Sequence, residues 1–531
     1  METFIYLYLL VIILVPGLAI RFGDRIEFYL ILFFPLMLYL RSFFKKNILH
    51  FPHKLTSAWF GFTFFSFISV TLSHDKQLSI ETFLVYQAAF LIGIFFYNDK
   101  LLLKSVINKS IFTSSLIFIT AFLLKDEILQ FTNIFDPNQI LNFFITSTYA
   151  NNHLGIWLGM SVIISIASYS LGWVVLFTPF LLISFSRSAY LGLLVVSVLD
   201  IYKRKHVANL TKYIGILLWI FVVVLAIIII VPRANILSDR PEYYKEALMG
   251  FVDKPLFGYG LGNFTEISRK YASISNGVFG TTSHNILFDM LSGSGIFSFI
   301  FFVLFLKIFY SSHEDNLYFK LAIFLFICFN ASYIFAMPVL LVLFFVFIGL
   351  SYRENRFFRS RYLAIVGAIF LAFVSVYLGY SEALFLIKNY SKSIAVFPYR
   401  KQVYESLVVQ TPIQDVNEIN HLLNTYKRNF PDLFETYNFS GYYYKIAEEY
   451  EHALRDYLVI FENGTGFNPT IAYEIQLLYL KLNKPVKAYE FSKMFISRIL
   501  NNPNKYRHMF NSTYDFCIKT NKFFLDKAAC F

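Results

Sequence analysis

Hydrophobic runs long enough to cross a lipid bilayer recur through the first 380 residues of this 531-residue chain. A helix that spans the roughly 30 Å hydrocarbon core needs about 20 mostly apolar residues. Charged residues make up only 15% of the chain, whereas ordinary soluble domains carry about 25%, and 57% of the residues are hydrophobic. The pattern excludes a soluble globular protein and predicts an all-α, polytopic membrane protein.

About thirteen of these runs are predicted to be transmembrane helices. The first run lacks a charged n-region and a small-residue cleavage site, so it is interpreted as an anchor and not as a removed signal peptide. The runs centre on residues 3 to 20, 26 to 40, 56 to 73, 80 to 97, 110 to 124, 153 to 168, 170 to 185, 188 to 201, 213 to 232, 293 to 310, 318 to 334, 336 to 350 and 362 to 380.

Short basic clusters between the runs predict the orientation of the chain. The numbers of helices between successive clusters are two, four and four, all even, so one orientation places every cluster in the cytoplasm. The N-terminus is then cytoplasmic, and residues 125 to 152, Arg187, the loop 233 to 284 and everything after 381 are outside. The net charge of +12 therefore does not indicate nucleic-acid binding. The clusters are Arg41, Lys45, Lys46 and Lys54; Lys100, Lys104 and Lys109; Lys203, Arg204, Lys205 and Lys212; and Arg353, Arg356, Arg359 and Arg361.

The composition changes at residue 381, where amphipathic patterns replace continuous hydrophobic ones. We therefore expect a membrane domain over residues 1 to 380 and a separate, extracytoplasmic helical domain over residues 381 to 531. A recurrence of 34 or 35 residues within the second domain is typical of tetratricopeptide helix pairs, and two such units with flanking helices fit residues 435 to 525. An unrelated helical bundle is the alternative, because the W-x-x-L-G part of the signature is missing. The recurring residues are Tyr444, Ala453 and Asn468-Pro469, followed by Tyr479, Ala488 and Asn502-Pro503.

The three cysteines indicate neither a disulfide framework nor a zinc site. Cys328 lies inside a hydrophobic run. Cys517 and Cys530 could pair outside the cytoplasm or remain free thiols, and the sequence does not decide between these states.

Four polar segments stand out at predicted outer helix ends, where a polar residue requires a partner or a task. Each also has a purely structural interpretation: a polar helix start for His153, an arginine that reaches the interface for Arg187, a tight exposed glycine turn, and a helix cap at His284-Asn285. Residues 241 to 250 are predicted to form an amphipathic helix that Pro241 opens. The four segments are Y-A-N-N-H at 149 to 153, S-F-S-R-S-A-Y at 184 to 190, residues 240 to 264, and T-T-S-H-N at 281 to 285.

Taken together, these segments resemble the O-antigen ligase and polymerase superfamily, which includes bacterial O-linked oligosaccharyltransferases. That family shows a Ser-Arg element between adjacent helices and a long periplasmic loop that starts near an Arg. The loop continues with a D-x-P-x-x-G-x-G-x-x-x-F stretch and closes with His-Asn before a Gly-containing helix. The matching residues are Ser186-Arg187, Arg240, residues 253 to 264, and His284-Asn285.

Asn152-His153 is also similar to the Asn-His element of the protein-glycosylating branch. Asn151 stands where that branch usually has Pro, and this departure weakens the assignment to the branch.

The resemblance implies a GT-C-like enzyme of the bacterial inner membrane that needs no metal or other cofactor. The enzyme would transfer a glycan from a polyprenyl-diphosphate carrier to an acceptor hydroxyl outside the cytoplasmic membrane. Three acceptors remain open: a lipid A core sugar, a growing glycan chain, and a Ser or Thr of a protein. Membrane lipids and a protein partner of the C-terminal domain complete the expected partners.

The residue types fit this chemistry. Guanidinium groups present several donors in a planar fork, so Arg187 and Arg240 are the candidates for binding the donor diphosphate. A neutral imidazole can accept the acceptor's proton, which makes His284 the candidate catalytic base. His153, Asn285 and Tyr243 are candidate donor or acceptor contacts. No D-x-D carboxylate pair of a metal-dependent transferase occurs in the chain.

Two functions from other classes compete with this interpretation. A transporter or flippase of lipid-linked glycans would be expected to show polar residues deep within several helices, and an internal repeat. A membrane scaffold whose only active part is the helical tail would leave Arg187, Arg240 and His284 without a role.

Overall fold

The structure is a computed structural model, and the part of the chain that it describes has several gaps. It describes residues 2–18, 23–44, 48–73, 75–123, 149–184, 186–203, 240–271, 280–314, 316–360, 362–413, 415–431, 433–463 and 469–500.

Helices dominate the described residues, and the first fourteen are followed here in chain order. They are α1 (Glu2–Leu18), α2 (Gly23–Phe44), α3 (His53–Thr71), α4 (Lys76–Asn98), α5 (Lys100–Leu123), α6 (Tyr149–Ala167), α7 (Leu171–Ile183), α8 (Arg187–Lys203), α9 (Arg240–Asp253), α10 (Phe264–Tyr271), α11 (Ile286–Ser311), α12 (Leu317–Ala331), α13 (Pro338–Ser351) and α14 (Tyr362–Leu386). A short 3₁₀ helix, Tyr333–Ala336, lies between α12 and α13.

Seven further helices complete the described chain. They are α15 (Tyr390–Val396), α16 (Lys401–Gln410), α17 (Val416–Asn429), α18 (Phe434–Ile446), α19 (Tyr450–Asn463), α20 (Pro469–Lys481) and α21 (Pro485–Leu500).

Helices form at twelve of the thirteen predicted runs, and the run at 213 to 232 lies outside the described residues. Four described helices are long and apolar enough to cross a membrane: Glu27–Phe44 within α2, α4, α11 and α14. Five shorter apolar helices accompany them. The all-helical, membrane-type fold is confirmed, and the count of thirteen spans stays a prediction.

Glycines allow some of these helices to approach closely. A Cβ on Gly349 of α13 would lie only 2.1 Å from the carbonyl oxygen of Gly93 on α4, so the two backbones are in direct contact. Likewise, the ring of Phe301 on α11 occupies the space that a side chain at Gly61 of α3 would need. These contacts join α3, α4, α11 and α13 into the packed centre of the bundle.

A two-stranded antiparallel sheet lies at one end of the bundle. Strand β1 (Leu49–Pro52) pairs with β2 (Phe357–Ser360), and His50 faces Arg359 in the ladder. The ammonium group of Lys100 donates to the carbonyl of Tyr352 at 2.6 Å, which ties the start of α5 to the same end. Basic residues from three of the four clusters therefore meet here, and we refer to this region as the sheet end.

The C-terminal helices form successive pairs. Helix α18 begins at Phe434 and α20 at Pro469, 35 residues later, and α19 and α21 begin at Tyr450 and Pro485 with the same offset. The turns within these pairs also correspond, because Glu448 and Asn483 both adopt left-handed backbone, with φ of 63° and 55°.

This helix spacing agrees with the period seen in the sequence. The tetratricopeptide assignment itself stays a prediction, and so does the domain boundary, since α14 passes through residue 381 and ends at Leu386.

Candidate active site at the His284 end of the bundle

The glycine-rich segment between α9 and α10 packs against a break in α11. Gly295 has φ of 73° and ψ of 179°, which interrupts the helix and frees backbone groups. The amide of Gly260 donates to the Gly293 carbonyl at 2.7 Å, the amide of Tyr259 to the Ser292 carbonyl at 3.1 Å, and the amide of Ile296 to the Pro255 carbonyl at 2.9 Å. The segment is thereby fixed to the helix that follows His284.

Two of its glycines are required by both backbone and space. Gly258 and Gly260 have φ of 66° and 104°, which other residues rarely adopt. A Cβ at Gly258 would lie 2.4 Å from the Gly293 carbonyl oxygen, and one at Gly260 would lie 2.3 Å from the Ser73 hydroxyl. The expectation of an exposed turn holds at Gly262, which is exposed, but is wrong at Gly258 and Gly260. These two are buried because the turn docks between α11 and the α3–α4 connection.

Helix α9 forms where the sequence predicts an amphipathic helix, and it extends beyond both predicted ends. Its buried residue Tyr243 stacks on the imidazole of His284, with ring centres 5.5 Å apart and planes at 10°. Tyr333, in the 3₁₀ helix, meets the same imidazole edge-on at 5.3 Å. His284 is thus held between two tyrosine rings and remains partly exposed to solvent.

The backbone around His284 is held in an unusual conformation. His284 has φ of 59°, in the left-handed region that a histidine enters only with support from its surroundings. Asn285 caps α11 by accepting hydrogen bonds from the amides of Leu287 and Phe288, and its side-chain amide donates to the Asn330 carbonyl at 3.2 Å. The amide of Ser283 donates to the Asp289 carboxylate at 3.1 Å. These contacts support the helix-cap interpretation of Asn285 and also fix the histidine.

Arg187 is the first residue of α8, in the turn that follows α7. The hydroxyl of Tyr190 donates to the carbonyls of Leu181 and Leu182, at 2.9 and 2.8 Å, which fixes the end of α7 to the start of α8. Ser184 and Ser186 are buried in this turn, whereas Arg187 is exposed. The turn therefore directs its hydroxyl groups inward and leaves the guanidinium accessible.

Arg240 begins α9, three residues before the tyrosine that stacks on His284. Burial lowers the pKa of Arg240, the neighbouring Tyr244 raises it, and the charge of Arg187 lowers it further. The charge of Arg187 therefore reaches Arg240. Two arginines that influence each other in this way both favour an anionic ligand, because an anion near them offsets their positive charge.

His153 lies in the first turns of α6, beside the turn that carries Arg187. A Cβ at Gly155 would lie 2.2 Å from the Cβ of Ser186, so the start of α6 packs directly on that turn. His153 itself is half-buried. The side chains of Asn151 and Asn152 lie outside the described part of the chain, so the Asn-His element stays a prediction.

The structure thus brings several of the predicted site residues together. Tyr243, His284 and Asn285 belong to one contact network, Arg240 shares a helix with Tyr243, and Arg187 lies within electrostatic range of Arg240. The sequence analysis missed three contributors to this network: Tyr333, Asp289 and Asn330. Asp289 could have been found from its place one turn after Asn285, whereas Tyr333 and Asn330 carry no local sequence signal.

Helix α10 and the α3–α4 connection also contact the C-terminal helices. Arg269 forms ion pairs with Glu266, at 2.9 Å, and with Glu435 at the start of α18. Its guanidinium also lies over the ring of Phe434, 5.4 Å from the ring centre. Lys401 of α16 approaches the Asp75 carboxylate at 3.5 Å. The helix pairs are therefore seated against the same end of the bundle as His284.

Within the described residues, no group of three or more His, Cys, Asp or Glu side chains is arranged to hold a metal ion.

Comparison with known families gives one match. Residues 172–303 match the family model described as O-antigen ligase, and this range includes Arg187, Arg240, Tyr243 and His284 but not His153. No curated protein and no solved structure matches the chain. The match supports the O-antigen ligase superfamily, and with the apolar helices it indicates a membrane-embedded glycosyl-transfer enzyme.

Proposed function

We propose that this chain transfers a glycan from a polyprenyl-diphosphate carrier to an acceptor hydroxyl outside the cytoplasmic membrane, without a metal ion. The proposal rests on one observation above the others. Within a segment of O-antigen ligase type, two arginines lie within electrostatic range of each other, and a histidine is stacked on the helix that one of them begins.

Arg187 and Arg240 bind the diphosphate in this proposal. As the glycosidic bond breaks, the bridging oxygen keeps the electron pair and negative charge grows on the leaving diphosphate. Two fixed guanidinium groups stabilise that charge through charge-assisted hydrogen bonds, and they remain protonated throughout. Arg187 is exposed and Arg240 is half-buried, so an anion can reach both from the outer-loop side.

His284 acts as the general base. The acceptor oxygen attacks the anomeric carbon of the donor glycan, and its proton passes to the neutral imidazole. The stack with Tyr243 and the edge contact with Tyr333 restrict rotation of the ring. Preorganisation of this kind matters because a catalytic group must meet the reacting atoms at a defined distance and angle.

Tyr243, Asn285 and His153 have supporting roles in this scheme. Tyr243 orients the base and lines the approach to it. Asn285 holds the turn through its cap and its contact with Asn330. His153 contacts the donor or the acceptor from α6, which packs on the Arg187 turn.

The acceptor can be a lipid A core sugar, a growing glycan or a protein hydroxyl. The C-terminal helix pairs favour a large acceptor or a protein partner, because stacked pairs present an extended surface and here they are seated against α10. In this arrangement the chain is an inner-membrane protein with a cytoplasmic N-terminus and an extracytoplasmic C-terminal domain of tetratricopeptide type.

A flippase of lipid-linked glycans is the alternative from another class. It would use the same arginines along a conduit and would change no bond. The position of Arg187 and Arg240 at helix starts, instead of deep within helices, favours the transferase.

Purified protein, a polyprenyl-diphosphate glycan and candidate acceptors in excess chelator test the proposal. Glycosylated acceptor and free polyprenyl diphosphate should form together and in equal amounts. Movement of donor across a vesicle membrane without either product would support the flippase instead, and loss of activity in chelator would contradict the metal-free mechanism.

A deletion strain distinguishes the acceptors. Loss of the polymer ladder with single units still attached indicates a polymerase, whereas loss of all glycan from lipid A indicates a ligase. Loss of glycan from proteins alone indicates a protein O-oligosaccharyltransferase.

A further inference from the structure

A pocket of about 280 Å³ opens at the sheet end, on the side of the bundle opposite His284. Its wall combines the end of α4, the start of α5, the segment that follows α13 and the two strands, so it forms where the sheet packs on the helices. Its lining residues are His50, Tyr97, Asn98, Lys100, Tyr352, Arg353 and Phe357. Two of the seven, Lys100 and Arg353, have basic side chains, and none is a carboxylate.

The polar groups of the wall are held in place. Asn98 accepts a hydrogen bond from the His50 amide at 2.8 Å and donates to the His50 carbonyl at 3.0 Å, which fixes the strand to α4. Lys100 is positioned by its bond to the Tyr352 carbonyl and lies 5.2 Å from the centre of the Tyr97 ring. The cationic groups are therefore presented by a rigid frame.

One polar atom in this wall is not satisfied by the protein. The Nδ1 atom of His50 is buried and has no hydrogen-bond partner among the described residues, while the ring packs edge-on against Phe357 at 4.4 Å. A buried ring nitrogen without a partner is costly, and a ligand or water in the pocket would remove that cost.

Two acidic residues lie near the pocket without lining it. Glu314 and Glu354 both interact electrostatically with residues of the pocket. The carboxylate of Glu354 accepts hydrogen bonds from the Lys54 amide, at 3.1 Å, and from the Tyr352 hydroxyl, also at 3.1 Å. It therefore stabilises the segments next to the two strands. Neither acid lines the pocket, which leaves its surface cationic.

We propose that this pocket binds the phosphate group of an anionic ligand through Lys100, Arg353 and His50. Basic pockets between helices at the end that carries the basic loops are suited to phosphate-bearing lipid headgroups. A free phosphate offers the same chemistry, and the experiment separates the two sources. The site is independent of the proposed transfer reaction, because it lies at the opposite end of the bundle.

The test uses the full chain in lipid-free detergent and in vesicles of phosphatidylcholine with or without phosphatidylglycerol. Thermal unfolding is followed with inorganic phosphate in the first case, and retained lipid is measured by native mass spectrometry in the second. Retention of phosphatidylglycerol without stabilisation by inorganic phosphate assigns a lipid headgroup, and stabilisation by inorganic phosphate assigns a free phosphate.

Arg353→Gln should weaken binding about fivefold, and adding Lys100→Gln should weaken it about thirtyfold in total, from roughly 1 kcal/mol per basic residue. Arg356→Gln is the matched control, because it removes the same charge from the same loop outside the pocket. Since Lys100→Gln also removes a structural hydrogen bond, the comparison of Arg353→Gln with Arg356→Gln decides the question. Equal affinities in those two variants, or no response to either phosphate source, would overturn the proposal.

Discussion

Both ends of the helix bundle carry arginine and histidine, but the two ends use them differently. At the sheet end basic residues surround a β-ladder, and the ammonium group of Lys100 donates to the backbone carbonyl of Tyr352. At the His284 end the charge of Arg187 reaches Arg240, and His284 has left-handed backbone and is packed between two tyrosine rings. Charge at the first end supports the ladder and lines the proposed phosphate pocket, whereas at the second it accompanies the candidate catalytic base.

The two ends of α11 show this difference within a single helix. His284 precedes the helix and contacts Tyr243 and Tyr333, while His313 follows it and stacks on Phe319 with ring centres 3.5 Å apart. The Nδ1 atom of His313 also lies 2.6 Å from the Tyr310 carbonyl oxygen. Both imidazoles are partly exposed and packed on aromatic rings, but only His284 also has left-handed backbone and contacts the helix that begins with Arg240.

The largest expected effect is on turnover. His284→Ala should reduce transfer by about 10²- to 10⁴-fold, since it removes the general base, while donor binding stays close to that of the parent. Initial rates and donor affinity of purified, stably inserted protein would be measured. His313→Ala is the control and should retain most activity. Near-normal turnover by the His284 variant would remove the base assignment and the contrast between the two ends.

The second prediction compares arginines. Arg240→Lys keeps the charge but loses the planar fork, so transfer should fall by about 10²- to 10³-fold, as when one oriented donor to a developing anion is lost. Arg356→Lys at the sheet end should be tolerated, because the membrane orientation of the chain depends on the positive charge alone. Rates and membrane abundance of both variants would be compared. Equal tolerance of lysine would indicate that Arg240 serves topology too.

Much of this arrangement could be predicted from local sequence. The hydrophobic runs give twelve helices that the structure describes, and the order of Arg187, Arg240 and His284 points to the candidate site through its resemblance to the O-antigen ligase superfamily. The buried glycine turn could not be predicted, since its partners, Gly293 and Ser73, are distant in sequence and come into contact only when α11 breaks at Gly295. The contact of Arg269 with Glu435 joins residues too far apart for any periodic pattern to connect them.

The third prediction concerns the glycine turn between α9 and α10. Gly260→Ala introduces a Cβ 2.3 Å from the Ser73 hydroxyl and places a side chain at φ of 104°, so the expected destabilisation is about 1–3 kcal/mol, with loss of activity as the loop detaches. Thermal unfolding and protease sensitivity of the loop would be measured. At Gly172 an added Cβ meets nothing within 4 Å, so Gly172→Ala should be neutral. Comparable behaviour of the two variants would contradict the buried turn.

The smallest expected effect depends on pH and arises where α10 meets the C-terminal helices. Glu266 and Glu435 share Arg269, with Lys401 and Asp75 nearby. Burial raises the pKa of Glu266 to about 7, and the charge of Glu435 adds to the rise. Burial opposes ionisation of Glu435 as well, but Arg269 and Lys401 outweigh it and lower the pKa of that carboxyl. The guanidinium therefore mainly stabilises Glu435.

The sign of the pH dependence follows from the raised pKa of Glu266. Between the ordinary value of 4.5 and about 7, the folded chain keeps a proton that the unfolded chain releases, so stability falls as pH rises through this window. Glu266→Gln removes the penalty and should stabilise the protein by about 1 kcal/mol near pH 8, with little change near pH 5. Thermal unfolding at the two pH values would measure this difference. Glu451→Gln, at an exposed pair with Lys484, should shift stability by less than about 1 kcal/mol at either pH. If Glu266→Gln were equally stabilising at both values, the carboxyl would not be titrating in the folded protein, and the contact between α10 and the C-terminal helices would depend on packing against Phe434 instead of charge.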